Sequence, residues 1–487
     1  MTTPSVPLTT PAQPVLDALF GELWPDPLTP ARPRVLAASL MVGLLASVTI
    51  PYRDVGLGTT LVLLAVGGTA YAVARKTWFA TGAFLLGVVL VSTFTVRDAE
   101  WIDVLCMLAA GALGCVALAD AHTVAGVVGS AFGPPLAALR GLPWLGRTVR
   151  GVGRFAALWP AVRTTAVSVL LVVVFGALFA SADALFAEWA DAVIPDLSVD
   201  TLALRTVVLV LVGGATLAAS YVAVNPPRVD RLSGGAARPV DRTFEWLVPV
   251  GLVLALYVGF VIAQAAVMFG GHDYLQRTTG LTYAEYVHEG FGQLCVATVL
   301  TLAVVATAAR KAPREDVRRR ILLRLVLGAL CVLTLVVVAS ALYRMHVYEE
   351  AYGFTELRLL VSVFEGWLGF VVVLVMVAGV RLDGRWLPRA VVVTGAAALL
   401  GLAAVNPDGY VAERNVDRYV ETGQADWSYL AGLSADAVPA LRELPAEAQP
   451  CVLVAAPPAD DDWLEWNLGR ARAGATELDA SAGCPTE

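Results

Sequence analysis

The stretch Leu325–Leu342, LVLGALCVLTLVVVASAL, runs for eighteen residues without a charge. About 20 apolar residues are needed to cross the hydrocarbon core of a bilayer as a helix. Backbone N–H and C=O groups find no water there, so a spanning segment must bond them internally. A soluble α-helical protein does not repeat uninterrupted runs of this kind, and the short alternating strands of a membrane β-barrel do not resemble them. Working outward, eleven such segments appear: Val35–Ile50, Val55–Ala74, Trp78–Val96, Ile102–Ala119, Thr165–Phe186, Leu202–Val224, Phe244–Phe269, Gly290–Ala309, Ile321–Tyr343, Leu357–Val380 and Ala390–Val405. The first and last are short. The expected fold is an all-α polytopic membrane protein of about eleven transmembrane helices.

Composition agrees. Of 487 residues, 57% are hydrophobic and 15% charged, against roughly 25% charged in ordinary globular domains. The formal net charge of −7 gives no support to nucleic-acid binding, which needs a concentrated basic face. Only two lysines occur, Lys76 and Lys311, among abundant Ala, Arg, Gly and Val; this suggests a GC-rich bacterial source and hence the bacterial plasma membrane.

Arginine and lysine set orientation, because cytoplasmic loops carry the excess. With the N-terminus inside, 23 of the 34 basic residues fall in inner loops and six at outer loops and helix ends, with five more after Val405. The expected topology is N-terminus in, C-terminus out. The first 34 residues are Pro-rich and lack the cationic start of a cleavable signal peptide. Within them, Leu16, Leu19, Phe20, Leu23 and Trp24 recur at helical spacing. They suggest a short surface helix; a disordered tail is the alternative. In the inner loop 134–163, an apolar stripe (Leu145, Val149, Val152, Ala156, Trp159) runs beside a basic one (Arg147, Arg150, Arg154). That pattern suits an interfacial helix on anionic lipid, or arginines that only enforce topology.

After Val405 charge rises and apolar runs stop. Short amphipathic helices are expected near 407–420, 427–433, 435–444 and 462–473, with Ser434 capping the third. A short strand is expected at Cys451-Val-Leu-Val. This region, 406–487, reads as a small extracytoplasmic domain able to meet an envelope protein partner.

Four stretches carry a family resemblance: LTYAEYVHEGFGQL (Leu281–Leu294), ALYRMHVYEEAYGFTELRL (Ala341–Leu359), NPDGYVAERNVDRY (Asn406–Tyr419) and GQADWSYLAGLSADAVPAL (Gly423–Leu441). In order and spacing the chain resembles the bacterial multi-pass membrane proteins of domain of unknown function family 4173, over roughly Thr165 to Leu441. The resemblance implies architecture and location but no reaction. It divides the chain into a tail (1–34), four spans with a basic loop (35–164), a family-like domain of seven spans (165–405) and the outer region (406–487). One departure is the acidic Glu289 beside His288, where the family pattern leads one to expect a basic residue.

No nucleotide-binding GxxxxGK[ST], HExxH, CxxC pair or GxSxG elbow occurs, so no catalytic, cofactor-binding or metal site is assigned and no cofactor is expected. The glycine pairs Gly67-Gly68 and Gly213-Gly214 read as helix-packing positions. Cys106, Cys115, Cys295 and Cys331 fall inside spans. Cys451 and Cys484 alone lie in the outer region, where a disulfide between them is plausible.

The most suggestive constellation is on the outer side. Glu285, His288 and Glu289 open the eighth span. Arg344, His346 and Glu350 close the ninth, beside Glu349, and Glu356, Arg358 and Glu365 enter the tenth. His272, Asp273, Asp183 and Gln264 lie near the same level. Ionisable groups in spans usually face a bundle interior or a wet cavity. Three readings stay open: a structural rim of ion pairs, a binding or transport vestibule with Glu365 deepest, and a metal or catalytic site. The functional expectation is a non-enzymatic envelope sensor or assembly component; the alternative is a transporter or membrane enzyme using Glu289, Arg344, Glu356, Arg358 and Glu365.

Overall fold

The computed structural model describes residues 15–25, 29–30, 32–150, 199–234, 240, 242–279, 291–453 and 461–474, with isolated positions between 164 and 183. More than half of the expected fifth span, Thr165–Phe186, falls outside them. Among the described residues there is no strand, and eight helices are long and apolar enough to cross a membrane. The protein is an all-helical multi-pass membrane protein.

We number the long helices α1 Pro33–Thr49, α2 Leu57–Val73, α3 Trp78–Val91, α4 Glu100–Leu118, α5 Val199–Val224, α6 Phe244–Thr279, α7 Phe291–Lys311, α8 Val317–Tyr352, α9 Glu356–Arg381, α10 Leu387–Ala404 and α11 Pro407–Thr422. The first ten coincide with the ten expected spans in the described residues. α1 and α2 have 17 residues each, about 25 Å at 1.5 Å per residue, and α3 has 14, continued by the short helix Thr93–Val96.

Two helix groups share α9. Leu90 of α3, Ile102, Cys106 and Leu113 of α4, and Leu402 of α10 form one core, against which Leu360 and Val363 of α9 pack. Trp246 of α6, Val305 of α7, Leu323 and Leu330 of α8, and Val372 of α9 form the other. α1 and α5 approach closely where Gly43 meets Gly213: a Cβ on Gly43 would stand 2.6 Å from the Leu209 carbonyl. Lipid offers no hydrophobic drive between helices, so small residues that let backbones touch do the associating. Gly67 and Gly68 make no such approach; only the Phe84 ring, at 3.9 Å from Gly67, comes near.

Loops segregate to two ends. At the arginine-rich end, Arg389 pairs with Asp120 at 2.5 Å and Asp230 accepts from the N–H groups of His122 and Thr123 at 3.0 and 2.9 Å. The N-terminal segment docks there rather than lying free. Trp24 is buried against Tyr221 and donates Nε1–H to the Asn225 carbonyl at 2.8 Å. Arg140 is also buried; its Nη2 donates to Asp17 at 2.6 Å. In the helices Gly133–Arg140 and Leu142–Arg150 the buried stripe is Ala137, Arg140, Trp144 and Thr148. That is one residue out of register with the Leu145–Val149 stripe expected. The indole and guanidinium have specific acceptors in the N-terminal segment, and this outweighs the greasier face.

The opposite end carries a helical cap built from α11, the helices Trp427–Ala431 and Val438–Leu441, the short helix Gln449–Val452 and the helix Leu468–Ala473. Cys451 and Val452, expected in a strand, are helical. Pro450 sits in the first helical turn, where its missing N–H is not needed, and among the described residues no strand offers a partner ladder.

Candidate functional site at the cap end

Helix α8 runs on to Tyr352, nine residues past the expected end of its span, because only Gly328 interrupts its helix formers and nothing stops it before Gly353. Gly353 has φ +84°, the left-handed stop that glycine adopts freely. A Cβ there would also meet Asn415 Oδ1 at 2.7 Å. Asn415 uses that oxygen to accept the Phe354 N–H (3.1 Å) and its amide to donate to the Phe354 carbonyl (2.9 Å). The turn into α9 is therefore held by α11.

This extension changes where the expected residues lie. His346 and Glu350 pair at 3.3 Å on an exposed helical surface. Arg344 is half-buried one turn lower. Among the described residues, which exclude Glu285 and Glu289, Arg358 makes no ion pair with a glutamate. Its guanidinium lies 4.5 Å from the Tyr348 ring centroid. It donates to the carbonyls of Tyr352, at 3.3 Å, and Gly353, satisfying orphan groups at the end of α8. Glu285, His288 and Glu289 lie outside the described residues.

Glu356 leads instead into a cluster that the sequence reading missed. Its carboxyl hydrogen-bonds with that of Asp408, and its N–H donates to the Tyr429 hydroxyl at 2.8 Å. Asp408 is 1% exposed. It accepts from Trp101 Nε1 at 3.0 Å and from the N–H and hydroxyl of Ser434 at 3.1 and 2.5 Å. Burial pushes the Tyr429 phenol up to about 12, so it stays a hydroxyl. Ser434, expected to cap its own helix, spends its hydroxyl on Asp408. The Ala435 N–H it leaves open is accepted by Asp98 Oδ2 at 3.1 Å, from the α3–α4 loop.

Asp436 answers in kind, accepting the N–H groups of Asp98 and Ala99 at 2.6 and 3.3 Å. Arg97 stands 3.7 Å from Asp436 and donates to the Ala403 and Ala404 carbonyls at 2.7 and 3.1 Å, closing the C-terminus of α10. Burial raises the Asp436 carboxyl above the ordinary range, against the pull of those two N–H donors and Arg97. Arg470 binds Asp98 at 2.6 Å, Asp461 at 2.9 Å and the Val55 carbonyl at 3.0 Å. Asn467 donates to the Phe94 carbonyl at 3.1 Å and caps Gly469 and Arg470. The Leu57 and Gly58 N–H groups, orphans at the start of α2, donate to the Trp466 and Leu464 carbonyls at 3.1 and 2.6 Å. The cap thus bonds to the starts of α2, α4 and α9, to the α8–α9 turn and to the 94–98 segment.

Glu365 lies apart, about 13 Å below the start of α9 at 1.5 Å per residue. It is fully buried, accepts from the Thr298 hydroxyl at 3.3 Å and leaves Oε2 without a hydrogen-bond partner among the described residues. Elsewhere among the spans Tyr257 bonds Thr301 at 2.6 Å and Ser340 bonds Gln264. These polar groups belong to α6, α7, α8 and α9. Cys451 is disulfide-bonded, and Cys484 lies outside the described residues; the other four cysteines are free. Among the described residues no group of three or more His, Cys, Asp or Glu side chains is placed to hold a metal ion.

A family model described as Domain of unknown function (DUF4153) matches residues 80–444. The motifs suggested family 4173; the match is to 4153, and it begins within α3 rather than near Thr165, so α3 and α4 fall inside it. It ends before the 461–474 segment that ties α2 to the cap. No curated protein and no solved structure matches the chain.

Proposed function

We propose, from the premise that the chain belongs to the DUF4153 family, that it is a non-enzymatic component of the bacterial plasma membrane. On this reading it presents its cap to an envelope protein on the outer side. The observation that carries the reading is the reciprocal hydrogen bonding of Asp98 and Asp436 flanked by Arg97 and Arg470. Half-buried charges of this kind fix geometry more than they add stability, and here they fix an extramembrane surface to the helix ends beneath it. The exposed side of α11, with Glu413, Arg414, Asp417 and Glu421, is a charged face suited to a polar partner. The inner placement of the arginine-rich end and the outer placement of the cap follow from the positive-inside rule.

The test is a photo-crosslinking residue at Val420, 69% exposed on α11, in native membranes. A discrete adduct that is lost with Asp436→Ala supports the reading. An absent adduct, or one indifferent to the clamp, removes it.

A second reading, transport or membrane-embedded chemistry through the cluster of Glu289, Arg344, Glu356, Arg358 and Glu365, is favoured by the buried Oε2 of Glu365, which has no hydrogen-bond partner among the described residues. Intramembrane carboxyls of this kind mark ion and proton paths. A phenotype abolished by Glu365→Gln but untouched by Asp436→Ala would favour it over the scaffold.

A further inference from the structure

A groove of about 1640 Å³ opens at the arginine-rich end. Its walls come from α7 beyond Leu302, α8 as far as Leu335, α9 from Val371 and the first turns of α10, with Val124–Val128 at the edge. The last ten residues of α9 rise about 15 Å at 1.5 Å per residue. That is one leaflet of the ~30 Å hydrocarbon core. The walls are aliphatic.

The mouth is charged. Arg310, Arg314, Arg324 and Arg385 line it, with Asp383 and His122. Arg314 is committed to the Ala309 and Leu382 carbonyls, and His122 lies 3.5 Å from Asp230. Asp383 accepts the Arg385 N–H at 3.2 Å. The guanidinium groups of Arg310, Arg324 and Arg385 make no ion pair or hydrogen bond among the described residues, and all three residues are exposed. Three unpaired guanidinium groups therefore stand over an aliphatic cleft one leaflet deep, with a single carboxylate among them.

We propose that this groove holds an anionic phospholipid drawn from the surrounding leaflet, its acyl chains along α7, α8 and α9 and its phosphate on Arg310, Arg324 and Arg385. Charge and depth together select it. A soluble anion has no use for aliphatic walls, and a zwitterionic lipid brings a cation to a basic mouth. Guanidinium groups suit phosphate because they present several N–H donors in one plane, and basic pockets between spans bind anionic head groups in this way.

The experiment uses the full-length protein purified in detergent. Thermal unfolding is followed with added dioleoyl phosphatidylglycerol, dioleoyl phosphatidylcholine or inorganic phosphate, and retained lipid is counted by mass spectrometry. Wild type should keep phosphatidylglycerol and be stabilised by it, and by neither other probe. The combined variant Arg310→Gln, Arg324→Gln, Arg385→Gln should weaken retention by at least about tenfold. Gly328→Trp should do the same with every arginine in place. Gly328 lines the groove with open space where its Cβ would go, so this variant fills the cleft without a backbone clash. Arg75→Gln, a basic residue of another loop, should leave retention unchanged. Equal response to phosphatidylcholine, equal response to inorganic phosphate, or retention indifferent to both groove variants would overturn the proposal. So would a disulfide between Gly328→Cys and a cysteine placed in 165–186, which would give the groove to the chain's own fifth span.

Discussion

Asp98 and Asp436 hold each other's backbone. Asp436 accepts the Asp98 N–H at 2.6 Å, and Asp98 accepts the N–H of Ala435, the residue before Asp436, at 3.1 Å. Each carboxylate therefore supplies a cap that the other's segment lacks, and the α3–α4 loop and the cap become one unit. Asp436→Ala orphans two N–H groups and removes the carboxylate facing Arg97. Unsatisfied buried donors cost about 1–3 kcal/mol each, so a loss of roughly 2–4 kcal/mol is expected. It should appear as a lower Tm in detergent and as faster proteolysis within 423–453. An unchanged Tm would mean the cap is held elsewhere.

Gly56 makes a sharper test of the junction. A Cβ there would stand 2.3 Å from the Glu465 carbonyl oxygen and 2.8 Å from that of Trp466, both backbone atoms. Gly56→Ala must push the 464–466 segment off the start of α2, at a cost of about 1–3 kcal/mol as for other overpacked sites. Gly68→Ala, on the same helix, meets nothing within 4 Å and should be neutral or slightly stabilising, since alanine favours helix. Equal melting temperatures for the two variants would contradict the packing.

Arg358 is expected to act as a cap and a ring-stacking cation rather than as half of an ion pair. Arg358→Ala should cost about 1–2 kcal/mol through the lost carbonyl bonds and aromatic contact. Glu349→Gln, which would weaken a salt bridge, should leave the Arg358 contribution nearly intact. Arg472→Ala, exposed at the same end, should lie within about 0.5 kcal/mol of wild type. A double-mutant cycle showing strong Arg358–Glu349 coupling would restore the ion-pair reading.

Cys451 should be joined to Cys484. Peptide mapping under non-reducing conditions would show the cross-linked pair, closing a loop of about 34 residues with about 3–4 kcal/mol of stabilisation in the chain-entropy treatment. A Cys451 linked between two chains would overturn it.

The spans were legible because hydrophobic runs report burial in lipid whatever their tertiary partners. Leu325–Leu342 needs no neighbour to be read as a helix. The same logic applied to arginine gives an expected sidedness, with the arginine-rich end inside. The site was only partly so. Glu365 announced itself as a charge in an apolar run, whereas Asp98, Asp408 and Asp436 lie in short polar segments where acidic residues are ordinary. Their roles come from N–H groups and an indole supplied by segments some 300 residues away, and no local pattern encodes that. Arg358 shows the same limit: sequence places it among glutamates, whereas its guanidinium also finds the Tyr352 and Gly353 carbonyls at the end of α8. The motif LSADA held the answer without showing it, because Ser434 looks like a helix cap until Asp408 claims its hydroxyl.

At the arginine-rich end, Asp230 gives a pH dependence of definite sign. Partial burial works to raise its carboxyl, but the His122 N–H, the Thr123 N–H and the Thr123 hydroxyl together hold it below the ordinary carboxylate range. A lowered carboxyl contributes stability above its unfolded value, near 3.9, and loses it as pH falls through the folded value. Below about pH 4 its contribution therefore declines. The group is 38% exposed, so solvent screening limits the contribution to about 1 kcal/mol. Asp230→Asn keeps the shape but not the charge. It should lower Tm at pH 7, and the gap to wild type should close as the pH is taken from 5 to 3. Melting curves of both proteins over that range decide the point. A gap that widens on acidification would mean that Asp230 carries its proton in the folded protein, and that the 122–123 turn is held by something other than its charge.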